Sequence, residues 1–280
     1  MTDFAAFTAF TSLHRATTAS PLLLPNAWDH ASATALSEQG FPAIGTTSLA
    51  VAAAAGLPDG TGATRAETLL LARRLGAGPY LLSVDAEGGF SDDPAEVAEL
   101  ARELAAAGAV GINLEDGRGD GTLTPVELHA AKIAAVKAAV PYLFVNARTD
   151  THWLGGREAT TGEATTAGTM GRLDAYQQAG ADGVFVPGLT DPTVIAALVE
   201  SLDAPLNILY SPSGPTVAQL GELGVRRVSL GSLLYRAALG EAMAVAANIR
   251  TGRPVYGDVP TYAQVQNLSV RGHDPGSGSC

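Results

Sequence analysis

Cysteine is almost missing from this chain of 280 residues: the single one, Cys280, is the last residue. That excludes an internal disulfide and a cysteine-built zinc site, leaves almost no room for a cysteine nucleophile, and fits a reducing cytoplasm. Lysine is nearly as scarce. Lys132 and Lys137 both fall within HAAKIAAVKAAV, a helical pattern, so neither stands at a strand end where a Schiff-base amine would act. Aldolases and pyridoxal-phosphate enzymes that depend on such an amine are excluded. No basic block offsets the net charge of -11, which argues against nucleic acid and against an anionic membrane surface as partners. No run approaches the ~20 apolar residues of a membrane span, and MTDFAAFTAF lacks a basic leader, so a soluble, unprocessed protein is expected. The histidines, at 14, 30, 129, 152 and 273, form no HExxH-like pair, which sets zinc hydrolases aside.

What is present is aliphatic. Hydrophobic residues make up 46% and aromatics only 6%, a composition suited to helices packed on parallel strands. Short apolar runs alternate with Ala-rich helical segments. The runs are 22–27, 43–48, 80–87, 110–116, 143–150, 183–188, 206–210 and 227–231. Helices are predicted near 29–38, 65–76, 94–107, 125–139, 164–179, 191–201, 216–223 and 232–249. Asp93-Pro94, Thr124-Pro125 and Asp191-Pro192 mark helix starts, and Gly40, Gly108, Gly180 and Gly224 mark helix ends. Strand followed by helix throughout means parallel pairing, and eight such units close into an α/β (β/α)8 TIM barrel, with an open doubly wound sheet as the alternative. A single domain over 1–280 is expected. Phe4, Phe7 and Phe10 at helical spacing predict an extra N-terminal helix on the barrel floor, and HDPGSGSC reads as a disordered tail over 271–280.

One stretch organises the chemistry. In LLSVDAEGGF, residues 81–90, strand alternation points Asp85 and Glu87 the same way, and Gly88 and Gly89 let the backbone turn sharply beyond them. VGINLEDG, residues 110–117, ends likewise in Glu115 and Asp116. Adjacent strands would bring these acids together. Two like charges ~4 Å apart repel by roughly 4 kcal/mol at an effective dielectric of 20, so the cluster requires protons or a cation. A hard divalent ion is the simpler answer.

The other predicted strand ends add Asn26, Thr46-Thr47-Ser48, Arg148 with Asp150, Pro187-Gly188, Asn207 and Ser229, a list far more polar than the strands themselves. Arg148 has the planar fork that suits a carboxylate, although with Asp150 it would equally make a structural ion pair. Asn207 could as well cap local backbone. Asp116, Asp120, Gly121 and Glu127 fall at EF-hand spacing, but Arg118 occupies a ligand position and a strand precedes, so DGRGDGT is read as a flexible lid rather than a calcium loop.

These residues resemble the isocitrate lyase/phosphoenolpyruvate mutase superfamily from PNAWDHASA to LLYRAALGEAM. GTTSLA (45–50), GLPDG (56–60), VDAEGG, NLEDG, NARTD and AGADGVFVPG carry the likeness. The resemblance implies a barrel enzyme that uses Mg2+, or Mn2+ in its place, and passes through an enolate. By that likeness Asp85 touches the metal directly, and Asp59, Glu87 and Glu115 reach it through water. Thr47, Ser48 and Leu49 cradle the substrate carboxylate, Arg148 holds the substrate and its developing charge, and Asn207 and Arg236 bind a second carboxylate. The catalytic group would be Arg148, Asp59 and Glu115. A homo-oligomer is also implied, a dimer or tetramer in which a C-terminal helical arm, residues 253–268, is exchanged between subunits.

Departures narrow the reaction. The lyases resemble one another in a lid carrying KKCGH or KRCGH, whereas this lid reads DGRGDGTLTP, without Cys, Lys or His. The lysine and asparagine of phosphonopyruvate-forming mutases are missing from it too. A smaller 2-oxo acid is therefore favoured over isocitrate. The leading expectation is a Mg2+-dependent lyase that cleaves a carbon-carbon bond in a small 2-oxo or 2-hydroxy dicarboxylate, such as an oxaloacetate decarboxylase or a methylisocitrate lyase-like enzyme. The alternatives are a phosphonate P-C mutase or hydrolase, with Arg118 in place of the missing lysine, and a 2-oxo acid binding protein.

Overall fold

A computed structural model describes residues 4–15, 20–155, 166–255 and 257–270. The predicted tail over 271–280 lies outside the described residues. Nine strands, all paired in parallel, form one sheet: β1 (Leu22–Leu24), β2 (Asn26–Ala27), β3 (Ala43–Thr46), β4 (Leu81–Asp85), β5 (Ala109–Glu115), β6 (Phe144–Arg148), β7 (Gly183–Val186), β8 (Leu206–Leu209) and β9 (Arg227–Ser229). The first predicted run supplies both ends of the sheet. β1 pairs with β9 and β2 with β3, so the run that Pro25 divides closes the barrel. Proline has no N–H for the ladder, yet its carbonyl still accepts from Gly45 N–H at 2.8 Å, which lets the chain pass from one neighbour to the other.

Helices follow the strands as the sequence predicts, among them α2 (His30–Glu38), α4 (Arg65–Leu75), α5 (Pro94–Ala106), α6 (Val126–Ala139), α8 (Thr166–Gln178), α9 (Pro192–Ser201), α10 (Val217–Glu222) and α11 (Leu233–Arg250). Asp93 and Asp191 cap α5 and α9, each with its carboxylate accepting a backbone N–H at 2.8 Å ahead of a proline in the first turn. Two helices fall outside the sequence reading, α3 (Ser48–Ala55) and α7 (Thr151–Gly155), while α12 (Tyr262–Val270) overlaps the C-terminal helical arm expected over 253–268.

Period-two alternation sorts the strand residues into layers. Leu82, Val84, Ile112, Leu114, Val145, Ala147, Val184, Val186, Ile208 and Val228 pack outward against the helices in the main core. The inward set is apolar at the floor, where Phe144, Leu22, Leu24 and Val110 cluster with Phe10 of the N-terminal helix α1 (Phe4–Arg15). Phe10 reaches Phe144 edge to face, with ring centroids 5.2 Å apart. Gly111 makes room for it, since a Cβ there would lie 2.9 Å from the Phe10 ring. Above the floor, Asn113, Asn146, Asn207, Arg227 and Ser229 form a buried polar layer. The strand ends above that layer carry the site.

Candidate active site

A cavity of about 720 Å3 opens at the carboxyl ends of the strands, lined on its acidic side by Asp59, Asp85, Glu115 and Asp150 and on its apolar side by Trp153, Leu154, Phe185, Pro187 and Leu209. Thr47, Ser48 and Leu49 line it where β3 runs into α3. The first N–H groups of a helix have no partner within it. Here Ser48 N–H donates to Asp85 Oδ2 at 3.1 Å, and Thr46 Oγ1 accepts from Asp85 N–H at 2.9 Å, which fixes the strand end of β4 against the helix start. Asp85 Oδ1 is left buried without a hydrogen-bond partner.

Arg148 joins the acids. Its Nη1 lies 2.7 Å from Glu115 Oε2 on the neighbouring strand, and its Nε and Nη2 donate to Asp150 at 2.6 and 3.0 Å. Its guanidinium also lies 5.7 Å from the centre of the Phe185 ring. Burial works against its charge, but Asp150, Glu115 and Asp85 outweigh that cost and hold it protonated. Glu115 is pushed well above the usual carboxylate range by burial, opposed by Arg148 and reinforced by Asp150, Asp85 and Glu87. Asp59 stands at the more exposed rim. Desolvation raises its carboxyl, Ser48 lowers it through a hydrogen bond, and the Asp85 charge raises it again.

Four expectations need correction. Asp85 and Glu87 are not successive residues on one strand face, because β4 stops at Asp85 and Glu87 adopts a left-handed backbone, φ 47°. The Glu87 carboxylate turns away from the cavity lining and accepts from Thr64 Oγ1 and, at 3.1 Å, from Gly62 N–H. Asp116 leaves the cluster too: Thr149 Oγ1, Tyr176 OH, Arg172 Nη1 and Asp150 N–H all donate to its carboxylate behind the strands. Asn207 lies one layer below the strand end, its amide bonded to Ser229 Oγ at 2.9 Å, since β8 continues to Leu209. Arg236 is exposed on α11, where its Nε donates to Ser232 Oγ at 3.2 Å, and it does not line the cavity. The residues read as a lid do overhang the site. Gly117 bridges Leu123, Arg118 N–H donates to Thr122 O, and the Arg118 side chain donates to both Asp92 oxygens at 2.9 Å.

The profile of the family described as phosphoenolpyruvate phosphomutase matches residues 10–250. This chain belongs to that family. An uncharacterised protein of Mycobacterium tuberculosis H37Rv is 45% identical over 246 residues, 88% of this chain and 91% of that one. The 2-methylisocitrate lyase of Bacillus subtilis is 34% identical over 204 residues, 70% of this chain and 64% of that one. A solved protein of Burkholderia cenocepacia J2315, provisionally assigned as a phosphonomutase, superposes with a TM-score of 0.79 at 39% identity, covering 86% of this chain and 99% of that one. A phosphonopyruvate hydrolase solved with oxalate and Mg2+ shares the fold, with a TM-score of 0.80 at 24% identity over 94% of each chain. The family likeness read from GTTSLA, VDAEGG and NARTD thus extends across the barrel, and the relatives with assigned activities include lyases, an oxaloacetate decarboxylase and a phosphorylmutase.

The phosphonopyruvate hydrolase of this fold holds Mg2+, which raises the question of whether the donor set here fits a divalent cation. Among the described residues, no three carboxylate or imidazole groups converge into a ready-made cage. A small hard cation does not need one, because Mg2+ keeps several waters and takes one or two carboxylates. The orphaned Oδ1 of Asp85 could serve as such a ligand, and Asp59 and Glu115 line the same cavity, where water could link them to the ion. The residues present fit the ion.

The sequence reading missed Arg227 and Asn113. Both were signalled by alternation, Arg227 two residues before Ser229 and Asn113 two before Glu115, each on the inward face. Reading only the last residues of each strand passed over the layer beneath.

Proposed function

We propose that this protein is a Mg2+-dependent lyase that cleaves a carbon-carbon bond in a small 2-oxo or 2-hydroxy dicarboxylate, with oxaloacetate decarboxylation as the simplest form. One observation carries the reading: Asp85, whose Oδ1 is buried without a partner, lines the same cavity as the start of α3 and Arg148. When bound, Mg2+ supplies positive charge that draws electron density from the substrate's 2-oxo group.

The chain's own residues do the rest. Thr47 and Leu49 present hydroxyl and backbone N–H groups for the substrate carboxylate beside Ser48, whose own N–H is held by Asp85, and the positive end of α3 favours the anion. Arg148 is held rigid by Asp150 and Glu115, so its charge faces the enolate oxygen without reorganising. In oxaloacetate the C3–C4 bond breaks, CO2 departs, and the electron pair becomes the C2–C3 enolate, which takes a proton at C3 to give pyruvate. Decarboxylation suits a lid without the lyases' cysteine, since solvent can deliver that proton. The exposed apolar side chains of Leu239, Met243 and Ile249 on α11 and of Tyr262 and Val265 on α12 support assembly as a homo-oligomer.

The test is pyruvate release from oxaloacetate and from citramalate-like acids, with Mg2+ and with chelator. Metal-dependent turnover on at least one of them is expected, and its absence on all would sink the lyase reading. The presence of Arg118 in the cavity lining supports a second reading, P-C bond chemistry on phosphonopyruvate. Phosphorus NMR separates the two, because only P-C chemistry converts the phosphonate resonance.

A further inference from the structure

Arg227 is a buried cation that the chemistry above leaves unused. It is 1% exposed on the inward face of β9. Its Nε donates to Ser229 Oγ and its Nη2 to Asn113 Oδ1, both at 3.2 Å and both neutral, while Nη1 is buried with no partner. No carboxylate lies within ion-pair distance of it among the described residues. Below it, His14 is neutral, its basicity pushed down to about 3 by burial and then by Arg227 itself.

A guanidinium without a counter-charge is expensive to bury, and breaking even requires compensation elsewhere. The immediate neighbours do not provide it. Asn113 Oδ1 already accepts from Asn146 at 2.8 Å, and the Ser229 hydroxyl is shared with the Asn207 amide. The compensation lies one layer up, where Asp85 attracts the Arg227 charge and where Asn113 and Ser229 line the cavity floor. The acids of the lining, Asp59, Asp85, Glu115, Asp120 and Asp150, are met within it, among the described residues, only by Arg148 and by Arg118, which Asp92 holds.

We propose that Arg227 sets the charge balance of the cavity from beneath: it weakens binding of the bare cation, strengthens binding of the anionic substrate, and holds Asn113 and Ser229 in place. Arg227 is thus a positioning residue, and its role rests on the metal and 2-oxo acid reading given above. A merely structural arginine would affect both affinities in the same direction. A charge at this depth moves them in opposite directions, by roughly tenfold each for a unit charge acting through partly solvated protein.

The experiment titrates the full-length wild type, Arg227→Met and Arg227→Lys with Mg2+ alone, and then with oxalate at saturating Mg2+, by calorimetry. Arg227→Met should bind Mg2+ about tenfold more tightly and oxalate about tenfold more weakly, while Arg227→Lys, which keeps the charge, should stay near the wild type in both. Parallel weakening in Arg227→Met, or no change in either affinity, overturns the proposal. Should that variant fail to fold, Arg227→Lys decides alone: retained affinities support the charge role, and loss of either overturns it. A wild type that binds neither Mg2+ nor oxalate overturns the functional reading itself, a result distinct from any change in the variants.

Discussion

At the scale of single residues, what matters is which buried groups carry charge. Arg148 is clamped by Asp150 and Glu115 through a planar fork that lysine cannot copy. Arg148→Lys should therefore lower kcat by ~10²–10³ while leaving the barrel folded, as steady-state kinetics beside a circular dichroism melt would show. Retained turnover would remove Arg148 from the mechanism.

Two histidines make a second residue-scale prediction. Burial first, and then the Arg227 charge for His14 and the Lys132 charge for His129, push both down to about 3. An unfolded histidine titrates near ~6.5, so between that pH and about 3 the unfolded chain binds protons that the folded one refuses. Stability should thus fall as pH drops through this window, by about 2 kcal/mol per histidine at pH ~5. Carboxyls held high, such as Glu115 and Asp59, contribute with the opposite sign. Urea midpoints at pH ~7 and ~5 contain both contributions, and the variants isolate the histidines: His14→Gln and His129→Leu should each shrink the acid loss relative to the wild type. An unchanged loss in both would contradict the assignment.

At the scale of elements, strands and helices were legible because apolar period and cap chemistry agreed. Asp93-Pro94 and Asp191-Pro192 start helices in the structure as they do in the sequence. The failures have physical causes. SLAVAAAA has no polar face, so α3 lacks an amphipathic signature, and its start reads in the sequence as the end of the preceding strand. VDAEGG reads as a continuing strand, but the left-handed backbone at Glu87 and Phe90 ends it and sends Glu87 to Thr64. Asp116 looked like one more site acid, yet it ties β6 and α8 together through four donors. Asp116→Asn should cost ~2–4 kcal/mol and lower the Tm, because it leaves the buried Arg172 facing a neutral amide. Phe10→Ala should cost ~3–5 kcal/mol by opening the barrel floor, without changing Mg2+ affinity. Denaturant melts test both, and a loss below ~1 kcal/mol in either would show that the element tolerates the change.

At the scale of the whole molecule, the eight alternating runs sufficed to read a closed barrel, because each strand required a helix on its outer face. The interior polar layer was not legible in the same way: Asn113, Asn146, Asn207 and Arg227 come from four strands distant in sequence, and only closure brings them together. Assembly is the other property of this scale. The apolar side chains exposed on α11 and α12 predict a dimer or tetramer in analytical ultracentrifugation, and deletion of residues 251–280 should shift it toward monomer. A wild-type monomer at micromolar concentration would remove the exchanged arm from the account.

The central claim is that the free carboxylate oxygen of Asp85 takes a divalent cation beside Arg148. Anomalous diffraction from crystals grown with Mn2+ and oxalate measures this most directly. The account predicts a single strong peak about 2.1 Å from Asp85 Oδ1, with water between the ion and Glu115. A peak elsewhere, or none at saturating Mn2+, would contradict it.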